Sequence, residues 1–319
     1  MIIVTGGCGF IGSNIVKGLN ESGKNEILVV DDLTDGKQKL SNLSGLQIAD
    51  YIDYQDFLTE ILSDKDVYPE AIAIFHQGAC SSTDEWNGRY LMKNNYEYSK
   101  HILDFCSKRS LQMIYASSAS VYGLGLLGFS EDDGVENPIN MYAYSKALFD
   151  SYVLKRINSL SDQVVGLRYF NVYGPNEQHK TGMTSPVYNF AKQVIDTGVV
   201  KVFKGTEEIV DGNHRRDFVS VEDVVRMNLW FLEHPEHSGI YNCGTGKSES
   251  FNSIAEHVIK FFQKGKVEYI DFPESLKGSY QEFTEANLDK LRSVGYEQSF
   301  VSIEDGIHSY LNQIYPDWS

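Results

Sequence analysis

Tyr142 and Lys146 are four residues apart in Tyr142-Ala-Tyr-Ser-Lys146, so on a helix they share one face, one turn apart. A phenol ordinarily titrates near 10, and bringing it to about 7 requires about 4 kcal/mol. One ammonium at about 4 Å, in an effective dielectric of about 20, supplies that much. The pair can thus make a base at neutral pH, able to take a proton from a substrate hydroxyl. Spacing alone decides little: 20 Tyr and 28 Lys plus Arg in 319 residues give roughly two such pairs by chance, and Tyr96 with Lys100 is one. Context separates them. Tyr142 follows the apolar run Met113-Ile-Tyr-Ala-Ser-Ser118, which predicts a strand presenting the Ser118 hydroxyl at its carboxyl end, whereas Tyr96 reads as a helix-face residue.

A second constellation opens the chain. Met1-Ile-Ile-Val4 runs into Thr5-Gly-Gly-Cys-Gly-Phe-Ile-Gly12, a strand turning through Gly6, Gly9 and Gly12 into a helix. Glycines let the backbone approach a pyrophosphate, whose charge then lies at the helix amino terminus. Ile27-Leu-Val-Val30 predicts the next buried strand. Asp31 closes it 19 residues after Gly12, where a carboxylate meets ribose hydroxyls. Asp31 repels a 2′-phosphate while Lys37 and Lys39 attract one, so NADP and NAD both stay open.

These groups require a scaffold. Leu46–Asp50 and Ala71–Phe75 read as a third and fourth strand, the latter running into His76-Gln-Gly-Ala-Cys-Ser81 as a floor for the cofactor. Asn94 heads a helix to about Arg109, and Gln163–Arg168 is the sixth strand. Strand and helix alternate to about residue 170, which predicts an α/β fold, a doubly wound parallel (Rossmann) sheet. The pattern then changes. Val187–Ile195 reads as a helix, Lys201–Phe203 as a strand, Glu222–Glu233 as a helix and Ile240–Asn242 as a strand back in the main sheet. The expected division is a cofactor domain of residues 1–170 and 215–247 and a smaller α/β substrate domain of 171–214 and 248–319. Arg215 and Arg216 suit a diphosphate or an ion pair with Asp217. Gly244–Ser248 ends like a phosphate-binding P-loop, but Tyr241 stands where that motif needs glycine. His234 and His237 have no third ligand nearby, and no metal is expected.

Composition narrows the classes. A net charge of −16 and a pI of about 4.9 argue against a broad nucleic-acid or anionic-membrane surface. The four cysteines lack metal or disulfide spacing, no apolar run approaches the roughly 20 residues of a membrane span, and the chain opens on a strand rather than a leader. A cytoplasmic location is expected.

Taken in order, the first glycine loop, Ser118 before Val121-Tyr-Gly123, Tyr142 with Lys146, and Arg168-Tyr-Phe-Asn-Val-Tyr-Gly-Pro175 resemble the extended short-chain dehydrogenase/reductase family. Within it, His76–Thr83, Asn94–Tyr96, Glu177-Gln-His-Lys180 and Lys277–Thr284 are similar to the branch that epimerises ADP-linked heptose. That resemblance implies an isomerase that inverts C6 of ADP-D-glycero-D-manno-heptose through a transient 6-ketone with bound NADP, supplying ADP-heptose for the lipopolysaccharide inner core. It further implies a homo-oligomer, a pentamer in that branch. Carried over by position, Tyr142 and Lys180 are the two bases, with Ser118 and Lys146 beside them. Phe10, Ile11, Asp31, Asp32, Lys39, Gln77, Gly78, Ala79, Cys80, Ser81, Asn94, Lys146, Val172 and Lys180 would hold cofactor with the glycines. Ser118, Asn171, Gly182, Asn189, Phe203, Lys204, Gly205, Thr206, Arg216 and Tyr280 would hold the sugar nucleotide. To work as a base, Lys180 needs its pKa depressed by burial or neighbouring cations. Gly182 and Asn189 stand where the branch has serine and histidine, and residues 209–214 form a longer loop. The alternatives are a nucleotide-sugar 4-epimerase of the same fold and a non-catalytic NAD(P)-sensing module. A dehydratase is disfavoured, because Ala119-Ser120 replaces the acid pair after Ser118.

Overall fold

The computed structural model describes residues 1–34, 37–63, 65–180, 182–206, 208–273 and 280–318. The first apolar run forms β1 (Ile2–Thr5), followed by β2 (Ile27–Asp31), β3 (Asp50–Asp53), β4 (Ala73–His76), β5 (Gln112–Ser118) and β6 (Val164–Tyr169). After them come β7 (Asn171–Tyr173), β8 (Val199–Phe203), β9 (Arg215–Ser220), β10 (Gly239–Cys243), β11 (Ser248–Ser250) and β12 (Lys266–Ile270). β1, β2, β4, β6 and β10 are buried along their whole length. Such continuous apolar strands belong to a parallel sheet covered on both faces.

Seven strands make that sheet, in the order β10-β6-β5-β4-β1-β2-β3, every neighbouring pair parallel. Ile2 and Val4 of β1 join a core with Ile15 and Leu19 of helix Phe10–Glu21 and Val224 and Phe231 of helix Val221–Glu233. Ile3 points the other way, into a core with Phe57, Ile102 and Phe149. Period-two alternation in one strand thus feeds both helical layers. Chain direction across the sheet reverses between β1 and β4, and the crevice beyond their carboxyl ends is where ligands bind in this architecture.

Two small sheets, β11-β9-β7 and β12-β8, lie outside the main one. A third core, with Tyr173, Val187, Phe190, Phe218, Ile254 and Leu311, gathers them with helices Pro186–Thr197 and Phe251–Phe262. β10 does return to the main sheet beside β6, as expected.

Two elements differ from the sequence reading. Residues 46–49 are not a strand: Asn20 at the end of the first helix accepts from Gln47 N–H (2.8 Å) and donates to Gln47 C=O (2.9 Å), so sheet pairing begins only at Asp50 opposite Leu28. The helix expected from Asn94 begins earlier, at Gly88, and widens into a π-helical turn over Met92–Glu97 before Tyr98–Arg109. Such turns concentrate at functional sites.

Candidate active site

The glycine turn is shaped by close approach. Gly6 has φ +67°, and a Cβ there would lie 2.7 Å from Gly78 N; one on Gly12 would run into the Gly6 carbonyl. Gly9 begins helix Phe10–Glu21 with no side-chain cap, which leaves its first N–H groups free for an anion. Across the turn, Gln77 accepts from Tyr169 OH (2.9 Å), while its Nε2 is buried without a partner. A cradle that admits no side chain, an uncapped helix start and an orphaned donor fit a dinucleotide. At the end of β2, Asp31 accepts from Cys8 N–H (2.7 Å) through one oxygen and from Asp32 N–H (2.7 Å) and Lys39 Nζ (3.1 Å) through the other. Lys39 also reaches Asp32 C=O (2.9 Å), so Asp31, Asp32 and Lys39 meet at one corner. The side chain of Lys37 lies outside the described residues.

β4 delivers the floor. His76 is buried between Thr5 Oγ1 (2.7 Å) and Ser99 Oγ (2.8 Å), and burial, with the nearby Lys146 ammonium, holds its pKa down to about 3. An unfolded histidine titrates near 6.5. The neutral ring therefore contributes stability that is complete above pH 6.5 and lost as pH falls towards 3. At pH 5 the loss is about 2 kcal/mol. His76→Asn should flatten the change in urea-unfolding free energy between pH 7 and pH 5; a slope equal to that of the parent would contradict a neutral buried ring.

Past His76, Cys80 N–H donates to Asn95 Oδ1 and Cys80 C=O accepts from Asn95 Nδ2, both at 2.9 Å. Asn95 also donates to Ser145 Oγ (3.1 Å), fastening the floor to helix Met141–Leu154. Asn94, the expected contact, instead donates to Tyr90 C=O (3.0 Å). The π-helical turn over Met92–Glu97 decides which of the two asparagines faces inward.

Helix Met141–Leu154 is started by Asn140, whose side chain accepts from Ala143 N–H (2.8 Å) and sets Tyr142 in its first turn. Ser118, at the end of β5, is a hydrogen-bond partner of the Tyr142 phenol. The expected tyrosinate is not what this structure favours. Burial pushes Tyr142 above the ordinary phenol value, and the Ser118 bond opposes it only in part. Lys146 donates to Ala116 C=O (2.7 Å), and burial lowers it to about 8 against the pull of Asp150. One turn further on, Asp150 accepts from Tyr115 OH (2.9 Å), Ser117 Oγ (2.8 Å) and Arg168 Nε (3.0 Å). Arg168 is 1% exposed and also meets Tyr122 OH and Glu136. Removing one partner of such a buried pair costs about 3–5 kcal/mol, so this network fixes β5, β6 and the Tyr142 helix together. Asp150, four residues after Lys146, was not singled out in the sequence.

Lys180 lies on a separate loop, against the glycine-turn helix. Its Nζ lies 4.6 Å from the centre of the Phe10 ring, and burial lowers its pKa against the opposing charge of Glu177. Fully buried Glu177 takes Ser185 N–H, Ser185 Oγ (2.6 Å) and Gly174 N–H (3.4 Å), which ties the loop to the start of helix Pro186–Thr197. Asn14 donates to Pro175 C=O (2.9 Å), Asn176 to Ser13 Oγ (3.0 Å) and Asn42 to Asn176 C=O (3.2 Å). The Lys180 loop is thus bolted to the glycine-turn helix. Cys80 neighbours the Tyr142 phenol, and Thr83 Oγ1 touches Met183 Sδ (3.9 Å), three residues beyond Lys180 in sequence. Gly182 has φ +79°, a conformation that strains a serine.

The remaining predicted residues divide. Asn189, Phe203 and Tyr280 line a pocket of ≈ 340 Å³ together with Phe190, His214 and Phe251. Arg216 stacks over Tyr280 (4.7 Å) and is buried. It makes no ion pair with Asp217, whose carboxylate is taken by Thr245, Gly246 and Ala286. Lys204 instead pairs with exposed Asp271 (2.7 Å), Gly205 N–H donates to Asp211 (2.9 Å), and Thr206 is exposed. Asn171 and Val172 pair with Phe218 and Val219 in the β7–β9 ladder. Lys277–Ser279 lie outside the described residues. Among the described residues, no His, Cys, Asp or Glu group is arranged to hold a metal, and no helix is long and apolar enough to cross a membrane.

A family model described as the NAD dependent epimerase/dehydratase family matches residues 2–244. The chain belongs to that family. As a member of the epimerase/dehydratase family it is a nicotinamide-dependent enzyme, and its relatives narrow the kind. It is 52% identical over 314 residues to an ADP-L-glycero-D-manno-heptose-6-epimerase of Alkalilimnicola ehrlichii, covering 98% of this chain and 97% of that one. The crystal structure of the Helicobacter pylori ADP-L-glycero-D-manno-heptose-6-epimerase superposes with a TM-score of 0.84 at 31% identity, covering 98% and 96%. The Thermus thermophilus UDP-glucose 4-epimerase, a complex with NAD, gives 0.78 at 26%, covering 98% and 97%. This family member has the epimerase fold over 98% of its length.

Proposed function

We propose that this chain inverts C6 of ADP-D-glycero-D-manno-heptose, through a transient 6-ketone on the sugar, to give the L-glycero epimer. The observation that carries the reading is a pair of ionisable groups of opposite tendency on separate elements: Tyr142, its pKa raised, beside Ser118 and Cys80, and Lys180, its pKa lowered, over Phe10 at the start of the glycine-turn helix. The A. ehrlichii and H. pylori relatives support the substrate. A nicotinamide held against Gln77 and Lys146 would supply reversible hydride transfer at the carbinol carbon. The protein's own part is the proton. Lys180, partly neutral, takes it from the hydroxyl on one side; Tyr142, kept protonated by burial and held by Ser118, gives it to the ketone oxygen on the other, and the roles exchange in the reverse direction. Lys146 and Gln77 orient the nicotinamide end. Arg216 and Tyr280 hold the nucleotide, at the junction of the proposed cofactor and substrate domains. NMR at C6 after incubation with ADP-D-glycero-D-manno-heptose tests the reading, which fails if no L-glycero epimer appears.

The cofactor in this reading is NADP. Asp31 is engaged by Cys8 N–H and by the Lys39 ammonium, whose charge offsets that of the carboxylate at the corner where a 2′-phosphate would sit. Lys39→Ala should weaken NADP about tenfold or more while changing NAD by less than about threefold. Equal losses for both would point to NAD. The reading also includes a cytoplasmic, oligomeric enzyme supplying ADP-heptose for the lipopolysaccharide core.

A further inference from the structure

The substrate pocket holds a buried polar atom that this reaction leaves unused. His214 lines the pocket at 2% exposure, and its Nε2 is buried without a partner. Leaving such an atom unsatisfied is unfavourable by about 1–3 kcal/mol, so a site that retains it in a ligand pocket is built to meet a ligand atom. The surroundings describe that atom. Tyr280 stands edge-on to His214 with ring centres 5.4 Å apart, Phe272 lies at 5.8 Å, and Phe203 is 6.4 Å from Tyr280. These are walls for a flat ring. Burial pushes the imidazole below its ordinary value, against the pull of Glu282 and with the help of the Arg216 cation, so it is neutral, with one donor and one acceptor nitrogen. A neutral imidazole among aromatic rings suits the edge of a heterocycle; the buried guanidinium of Arg216 suits the phosphates.

The longer 209–214 loop accounts for His214 being there. Gly212 N–H donates to Phe203 C=O (3.0 Å), Asn252 Nδ2 to Asp211 C=O (2.8 Å), and Phe251 N–H to His214 C=O (3.2 Å). The loop is closed onto the pocket rim and delivers His214 at the start of β9.

We infer that His214 is a specificity residue for the nucleobase, its Nε2 hydrogen-bonding the edge of the adenine while Phe203, Phe251 and Tyr280 enclose the ring. The inference rests on the proposed function, which supplies the adenine. It is tested by calorimetric titration of ADP and UDP into the full chain with its cofactor, comparing the parent with His214→Phe and His214→Gln. His214→Phe should raise the Kd for ADP about tenfold and that for UDP less than twofold. His214→Gln, whose amide can still donate, should recover part of the difference. If thermal melting shows that His214→Phe does not fold, His214→Gln decides alone, with an intermediate loss of ADP preference expected. A parent that prefers ADP, with both variants keeping the same preference, overturns this inference and leaves the proposed function standing. A parent that binds neither nucleotide overturns both.

Discussion

Tyr142→Phe should lower kcat/KM for C6 inversion by about 10²- to 10⁴-fold, the usual weight of a positioned proton-transfer group. Phenylalanine keeps the ring and removes only the oxygen that meets Ser118. The Asn140 cap and the Asp150–Arg168 network that fix the helix do not involve that oxygen, so the melting temperature and the bound cofactor should be unchanged. KM should also move little, because a proton donor acts on the transition state more than on the ground state. A loss below about tenfold, with folding intact, would remove Tyr142 from the chemistry.

Lys180→Met should reduce the rate by a similar factor while sparing the fold, because the methionine stem can still cover Phe10. Charge is what it removes. Glu177 then loses the nearby cation, but its oxygens remain held by Ser185 and Gly174, so the loop should stay in place. Lys180→Ala leaves a space above Phe10, and a small primary amine added in solution should restore part of its activity with a dependence on the amine's free-base concentration. The pH dependence carries a sign. Burial depresses Lys180, so its neutral form is populated at lower pH than that of an exposed lysine, and the rate limb that depends on it should move to higher pH in any variant that opens the loop to solvent. Full activity in Lys180→Met would leave Tyr142 serving both faces.

Much of this site was legible in the sequence because it depends on local geometry. Gly6, Gly9 and Gly12 announce a turn where no Cβ fits, and the carboxylate corner at Asp31 follows from strand length. Ser118 and Tyr142 could be paired from a strand end and a helix start. What could not be read depends on long-range burial. The sign of the Tyr142 shift is one case: spacing promised a lowered phenol, but Lys146 spends its ammonium on Ala116 C=O and desolvation wins. Another is Arg216, whose neighbour Asp217 turns away to the backbone of residues 245–286. Asn95, Glu177 and His214 were hidden because nothing local distinguishes a buried polar side chain from an exposed one; only the fold brings Cys80, Ser185 or Tyr280 beside them. The strand misplaced at 46–50 failed for the same reason, since Asn20 competes for its backbone from 27 residues away.

In the proposed reaction C6 is inverted by oxidation and reduction within one site, with protons handled by Tyr142 and Lys180. Incubating the protein with ADP-D-glycero-D-manno-heptose in D₂O and reading C6 by ¹H NMR tests it most directly. The predicted result is the L-glycero epimer with protium retained at C6. Inversion accompanied by deuterium at C6, or a sugar left unchanged, would contradict it.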